Sequence, residues 1–174
     1  MAIHQLNHAV MFVRDVDKSV AFYRDVLGFE VAMEMDAGGK KAFLRAADST
    51  NDHDLGLFEM GSSAGASPAG RSTVGLYHLA WEVDTLRDLE TLRERLAAAG
   101  ALVGMSDHHT TKSLYGQDPD GLEFEIVWLI PADLLDEAAL AGRSGIEPLN
   151  LAKEIERFGA DTPGGIGVSR AAVS

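Results

Sequence analysis

The chain has 174 residues, no cysteine and a formal net charge of −12 at neutral pH. That length suits one domain or two small fused modules with a real core, and the absent thiols exclude disulfides and thiolate chemistry. The acidic surplus works against nucleic-acid or anionic-membrane partners. No apolar run nears the roughly 20 residues that span a bilayer and the start does not read as a signal peptide, so a cytoplasmic protein is expected.

In chain order, Leu6, His8, Val10 and Phe12 alternate with Asn7, Ala9, Met11 and Val13, the pattern of a strand with two distinct faces. Val16, Val20, Tyr23, Val26 and Leu27 then fall at helical spacing, with Asp15 or Asp17 as cap and Gly28 as stop. Phe29 to Met35 and Lys41 to Ala46 read as strands around the turn Asp36-Ala-Gly-Gly-Lys40. A polar loop, Ala47 to Asp54, leads to a last strand in which Leu55, Leu57 and Glu59 share a face. Residues 61–73, GSSAGASPAGRST, read as a connector.

After the connector the pattern restarts. Leu76, His78, Ala80 and Glu82 repeat the face of Leu6, His8, Val10 and Phe12 seventy residues on. Thr85 to Ala99 is predicted as a helix with Leu86, Leu89, Leu92 and Leu96 inward, stopped by Gly100, and Ala101 to Met105 as a strand. The polar loop at Asp107 and a hairpin around Asp118-Pro-Asp-Gly121 close the unit. In the final strand Leu122, Phe124 and Ile126 oppose Glu123, Glu125 and Val127, and Glu125 is read as the counterpart of Glu59. The fold expected is α+β: a βαβββ module over 1–60, the connector, a second module over 74–130, and a helical or irregular extension over 131–174. Two such modules side by side close a half-barrel over a shared cleft.

The repeat would bring His8 and His78 from first strands, and Glu59 and Glu125 from last strands, toward one axis. A lone strand histidine is commonly a hydrogen-bonded core residue. Two at matching repeat positions, each with a carboxylate, point instead to a divalent metal. Imidazole with carboxylate suits Fe(II), Mn(II), Zn(II), Ni(II) or Co(II), and two histidines with one carboxylate suit non-haem Fe(II) with open positions.

Three stretches, LNHAVMFVRDVDKSVAFYRDVLGF, GLYHLAWEV at 75–83 and DHHTTKSLYGQDPDGLEFEIVW, resemble the vicinal oxygen chelate superfamily over about residues 3–130. That superfamily includes glyoxalase I, the extradiol catechol dioxygenases and the glyoxalase/bleomycin-resistance group. The resemblance implies paired βαβββ modules and a metal in the cleft, with His8, His78 and Glu125 at its ligand positions. The Asp107-His108 loop followed by Ser113-Leu114-Tyr115 and DPDG looks like the extradiol branch. By that likeness His108 is an acid/base and Tyr115 a hydrogen-bond donor to substrate. The implied activity is an Fe(II)-dependent dioxygenase that cleaves a catechol-like aromatic with dioxygen, as a homodimer. His109, Thr110 and Lys112 depart from that branch.

Two other readings stay open. A glyoxalase-like lyase or isomerase would use Glu59 as a fourth ligand. A binding or resistance protein without metal would use Trp81, Trp128, Tyr77 and Phe124 as stacking surfaces. Beyond Pro131, Ala132 to Ala141 has an acidic helical pattern, and Pro148 is expected to open a helix in which Leu151, Ile155 and Phe158 share a face. The terminal DTPGGIGVSRAAVS, with Arg170, has turn residues and little to bury, and either lies across a partner subunit or is disordered.

Overall fold

A computed structural model describes residue 3 and residues 5–69 and 72–165. The order is β1 (Ala9–Val13), α1 (Val16–Asp25), β2 (Glu30–Met35), β3 (Lys41–Arg45), β4 (Leu55–Glu59), then β5 (His78–Glu82), α2 (Leu86–Ala98), β6 (Leu102–Asp107), β7 (Thr111–Gln117) and β8 (Glu123–Leu129). The βαβββ pattern therefore occurs twice. A 3₁₀ turn (Ala132–Leu134), α3 (Glu137–Gly142), β9 (Glu147–Pro148) and α4 (Leu151–Phe158) follow. No helix among the described residues is long and apolar enough to cross a membrane.

The chain divides into two compact units: residues 1–67 with the turn Asp118–Gly121, and residues 68–117 with 122–174. In the first, the sheet order is β1-β4-β3-β2, with β1 and β4 parallel and the other pairs antiparallel. Asp15 caps α1 by accepting from the Lys18 N–H, and Gly28 leaves the helix at φ 81°. The buried set Val13, Val16, Val20, Tyr23, Leu44, Leu55 and Leu57 lies between α1 and one sheet face. The opposite face stays open, with Phe12 68% and Val10 48% exposed. The DPDG turn belongs to this unit because Asp120 pairs with Arg14 at 2.7 Å, while Tyr23 donates to Asp118 at 3.5 Å. Burial, then the Asp118 charge, push the Tyr23 phenol well up.

In the second unit the order is β5-β8-β7-β6-β9, again with one parallel pair, β5 with β8. Thr85 caps α2, and Leu86, Leu89 and Leu96 are fully buried with Phe124, Ile126 and Trp128 of β8. Phe124 and Trp128 are thus packing residues beneath helices, 2% and 0% exposed, rather than stacking surfaces for a ligand. The open face of β8 carries Glu123, Glu125 and Val127.

The extension differs from expectation in detail. Asp136 interrupts the stretch 132–141 by capping α3 at the Ala139 N–H, 2.7 Å away. Pro148 opens no helix. It lies in β9 opposite Ser106, an edge position that tolerates a missing N–H, and Asn150 caps α4. Leu151 and Phe158 do face inward, Phe158 against Trp128 with ring centres 5.5 Å apart. The terminal segment up to Gly165 is held by Arg87–Asp161 at 2.5 Å and by the Gly164 N–H on the Asp84 carbonyl. Arg170 lies outside the described residues.

Candidate functional site

The open face of the second unit joins four of the expected residues into one run. His78 opens β5, and the parallel ladder sets it opposite Glu123 and sets Ala80 opposite Glu125. His78 Nε2 stands 3.1 Å from Glu125 Oε2, with the two side chains 26% and 14% exposed. Antiparallel pairing then places Tyr115 directly across from Glu125, and the Tyr115 hydroxyl lies 2.9 Å from His108 Nε2. Burial first, then the Glu125 charge, push the Tyr115 phenol up to about 12, so it stays protonated and can donate. His78 Nδ1 is buried without a hydrogen-bond partner, and the Tyr77 ring leans on the imidazole at 4.7 Å.

An imidazole and a carboxylate side by side on one face form a donor pair that fits a first-row divalent ion. Among the described residues no group of three or more His, Asp or Glu side chains stands close enough to hold a metal.

The first unit holds His8 just before β1, on the open face with Val10 and Phe12. Its Nδ1 lies 2.7 Å from Asn7 Oδ1, and its ring centre is 4.6 Å from that of His53. His53 is similarly held, Nδ1 to Asp52 Oδ2 at 2.9 Å. A carbonyl or carboxylate on one ring nitrogen fixes the tautomer and leaves the other as a base or ligand. Beyond His53 the rings continue as a row: Phe43 at 4.9 Å, Phe58 a further 5.9 Å, and Phe12 a further 6.4 Å. His53 escaped the sequence reading because it lies in a polar loop without periodicity. The signal available was its adjacency to Asp52.

Glu59 is placed differently from Glu125. Val10 pairs with Gly56 as Ala80 pairs with Glu125, so Gly56, not Glu59, is the counterpart of Glu125. A side chain has little room at Gly56: its Cβ would lie 3.2 Å from Val10 and 3.6 Å from Phe43. Glu59 is three residues further on. An odd step on a strand changes face, and Glu59 points to the helix side with Leu55 and Leu57. There Glu59 Oε2 accepts the Val16 N–H at 3.2 Å and helps line a cavity of about 480 Å³ with Arg14, Lys18 and Ser19.

Residues 5–126 match the model of the Glyoxalase/Bleomycin resistance protein/Dioxygenase superfamily. The chain belongs to that superfamily. It is 33% identical over 130 residues to a catechol-2,3-dioxygenase of Bacillus subtilis (strain 168), a match covering 72% of this chain and 42% of that protein. It is 31% identical over 130 residues to a manganese-dependent 2,3-dihydroxybiphenyl 1,2-dioxygenase of Geobacillus genomosp. 3, covering 72% and 37%. The chain thus spans about two fifths of the length of these relatives. Among solved structures, a glyoxylase/bleomycin resistance protein/dioxygenase domain from Frankia sp. EAN1pec aligns with a TM-score of 0.61 at 24% identity, over 72% of this chain and 92% of that one, a likeness of fold.

Lys112, one of the residues that departs from the extradiol pattern, lies off the His78–Glu125 face. Lys112 is 1% exposed on the helix side of β7, donates to Asp107 Oδ1 at 2.6 Å, and its ammonium forms an ion pair with Glu154 at 3.0 Å. His109 adopts φ 65° at the tip of the β6–β7 turn.

Proposed function

We propose that the chain is a metal-dependent extradiol-type dioxygenase that cleaves the ring of a catechol-like small aromatic, with His78 and Glu125 as metal ligands. The observation that carries this reading is the run His78–Glu125–Tyr115–His108, which puts a donor pair, a protonated phenol and an imidazole on one sheet face. A divalent ion held there, Fe(II) or Mn(II) in the first instance, supplies Lewis acidity toward a catechol hydroxyl and open positions for small ligands. The aromatic row Phe43, Phe58 and Phe12, which begins at His8 and His53, suits a flat apolar ring. The dioxygenase relatives support the same substrate class.

The protein's own part is to hold and move protons. A catechol enters with two phenolic protons and reacts as an anion. Tyr115 does not accept a proton at neutral pH, and Glu125 is committed to the ligand set. One proton is lost to solvent on binding, and His108, hydrogen-bonded to Tyr115, takes the second and returns it to the product. The lyase reading needs a fourth ligand from β4, and the placement of Glu59 on the helix side weighs against it.

The test is protein loaded anaerobically with Fe(II) or Mn(II), a panel of catechols, and the visible absorbance of ring-cleaved product with oxygen uptake. Product formation that vanishes in His78→Ala and Glu125→Ala supports the reading. Metal-loaded protein that cleaves no catechol overturns it.

A further inference from the structure

We propose that the C-terminal extension positions His108, acting through His109 and Lys112, so that both are positioning residues for the site described above. The inference rests on the proposed function for its effect on turnover, and on geometry alone for its effect on the His108 imidazole.

The turn joining β6 to β7 is three residues, His108 to Thr110, and its two sides face opposite ways. His108 reaches across the open face to Tyr115 at 2.9 Å. Its neighbour His109 takes φ 65°, a left-handed conformation that costs a non-glycine residue about 1 kcal/mol or more. Something must hold it there, and the extension does so. A Cβ at Gly142 would lie 2.7 Å from the His109 ring, and one at Gly145 would lie 3.2 Å from Nε2. The turn after α3 therefore forms a cradle closed around the imidazole, in which a methyl group at either glycine would collide with the ring or crowd it. Glu147 of β9 lies 3.8 Å from the same Nε2.

A second tie comes from α4. Lys112 is buried, and its ammonium bridges Asp107 Oδ1 at 2.6 Å and Glu154 Oε2 at 3.0 Å. Asp107 Oδ1 also accepts the His109 N–H at 2.7 Å. One carboxylate oxygen thus fixes both the left-handed residue and the lysine that anchors to α4. β9 adds main-chain pairing, Asp107 with Glu147 and Ser106 with Pro148. The result is a continuous chain of contacts: Glu154, Lys112, Asp107, His109, then across the peptide to His108, Tyr115 and Glu125. Flexible turns of this size sample several φ/ψ states. This one is held by the extension in a single state that aims His108 at Tyr115, and acid/base groups need that placement to within a fraction of an ångström.

Three variants test it. His109→Gly removes the ring while relieving the left-handed strain. Glu154→Gln removes the charge that anchors Lys112. Gly145→Ala, the mildest, adds one methyl group 3.1 Å from the Gly142 carbonyl oxygen and 3.2 Å from His109 Nε2, and keeps the test readable if either of the others does not fold. Ring ¹⁵N–¹H spectra of the histidines in metal-free protein report the His108 tautomer, and amide hydrogen exchange reports the turn. Expected are a change in the His108 ring nitrogen signals, faster exchange at the Thr110 amide, and kcat lower by about 10- to 100-fold, the range for outer partners of a site, with KM and bound metal unchanged. A folded variant with wild-type His108 signals and wild-type kcat, altered only in melting temperature, overturns the proposal and leaves the extension a structural strap. If the wild type cleaves no catechol, the ring spectra still decide: changed His108 signals uphold the positioning while the functional reading falls.

Discussion

Glu59 and Glu125 are both β-strand carboxylates near the end of a module, and their surroundings differ. Glu59 Oε2 accepts the Val16 N–H in the first turn of α1, where the helix dipole favours negative charge. Glu59→Gln keeps a side-chain oxygen to accept that N–H and removes only the charge. The loss is then the dipole contribution of an exposed group, about 0.3–1 kcal/mol, visible as a small shift in the urea midpoint with an unchanged slope. Metal affinity should not move. Glu125→Gln removes the charged oxygen beside His78 Nε2, and affinity should fall by more than the roughly 100-fold that bounds an outer-shell change. The assay is competitive Mn(II) or Fe(II) titration of both variants alongside urea unfolding. Equal metal loss in the two would refute the face assignment and restore a four-ligand site.

His108→Ala should keep metal and lose roughly 100- to 10,000-fold in single-turnover kinetics with a cleaved catechol, and a wild-type rate would remove the acid/base assignment. Gly56→Glu should create no second metal site and should cost about 1–3 kcal/mol, because its side chain must displace Val10 and Phe43; unchanged stability with extra bound metal would contradict this. Gly116→Ala places a methyl group 2.4 Å from the buried Phe124 ring and should lower the melting temperature by several degrees, read by calorimetry. Asp54 is raised by burial, but hydrogen bonds from the Ala46 N–H, Asn51 and Ser49 outweigh that and hold it below the usual carboxylate value. Its stabilising contribution is therefore present above the unfolded pKa and lost as pH falls through the folded one, so wild type should lose more stability than Asp54→Asn between pH 7 and roughly pH 3 in urea titrations.

How much of this was legible follows from what periodicity can carry. The seventy-residue echo of Leu6-Asn-His8 in Leu76-Tyr-His78 gave both modules, because first strands with two distinct faces alternate strictly. Helix ends were readable at Asp15, Thr85, Gly28 and Gly100, where capping and positive φ demand particular residue types. Glu59 misleads because residue type alone aligns glutamate with glutamate. The hydrogen-bond register aligns Gly56 with Glu125, and a three-residue slip changes face. His53 and Lys112 lay outside any periodic signal for opposite reasons. His53 sits in a loop whose position depends on Asp52 and on the ring of His8, which is 45 residues away in sequence. Lys112 reads as a solvated strand lysine until Glu154, on a helix 42 residues later, supplies the second carboxylate that lets the ammonium be buried. Pro148 shows the same limit from the other side: its ring suits a helix start or an edge strand equally, and only the free edge of β6 decides between them. Pattern thus assigns the faces of a strand, while a long-range partner decides what a polar side chain on either face can do.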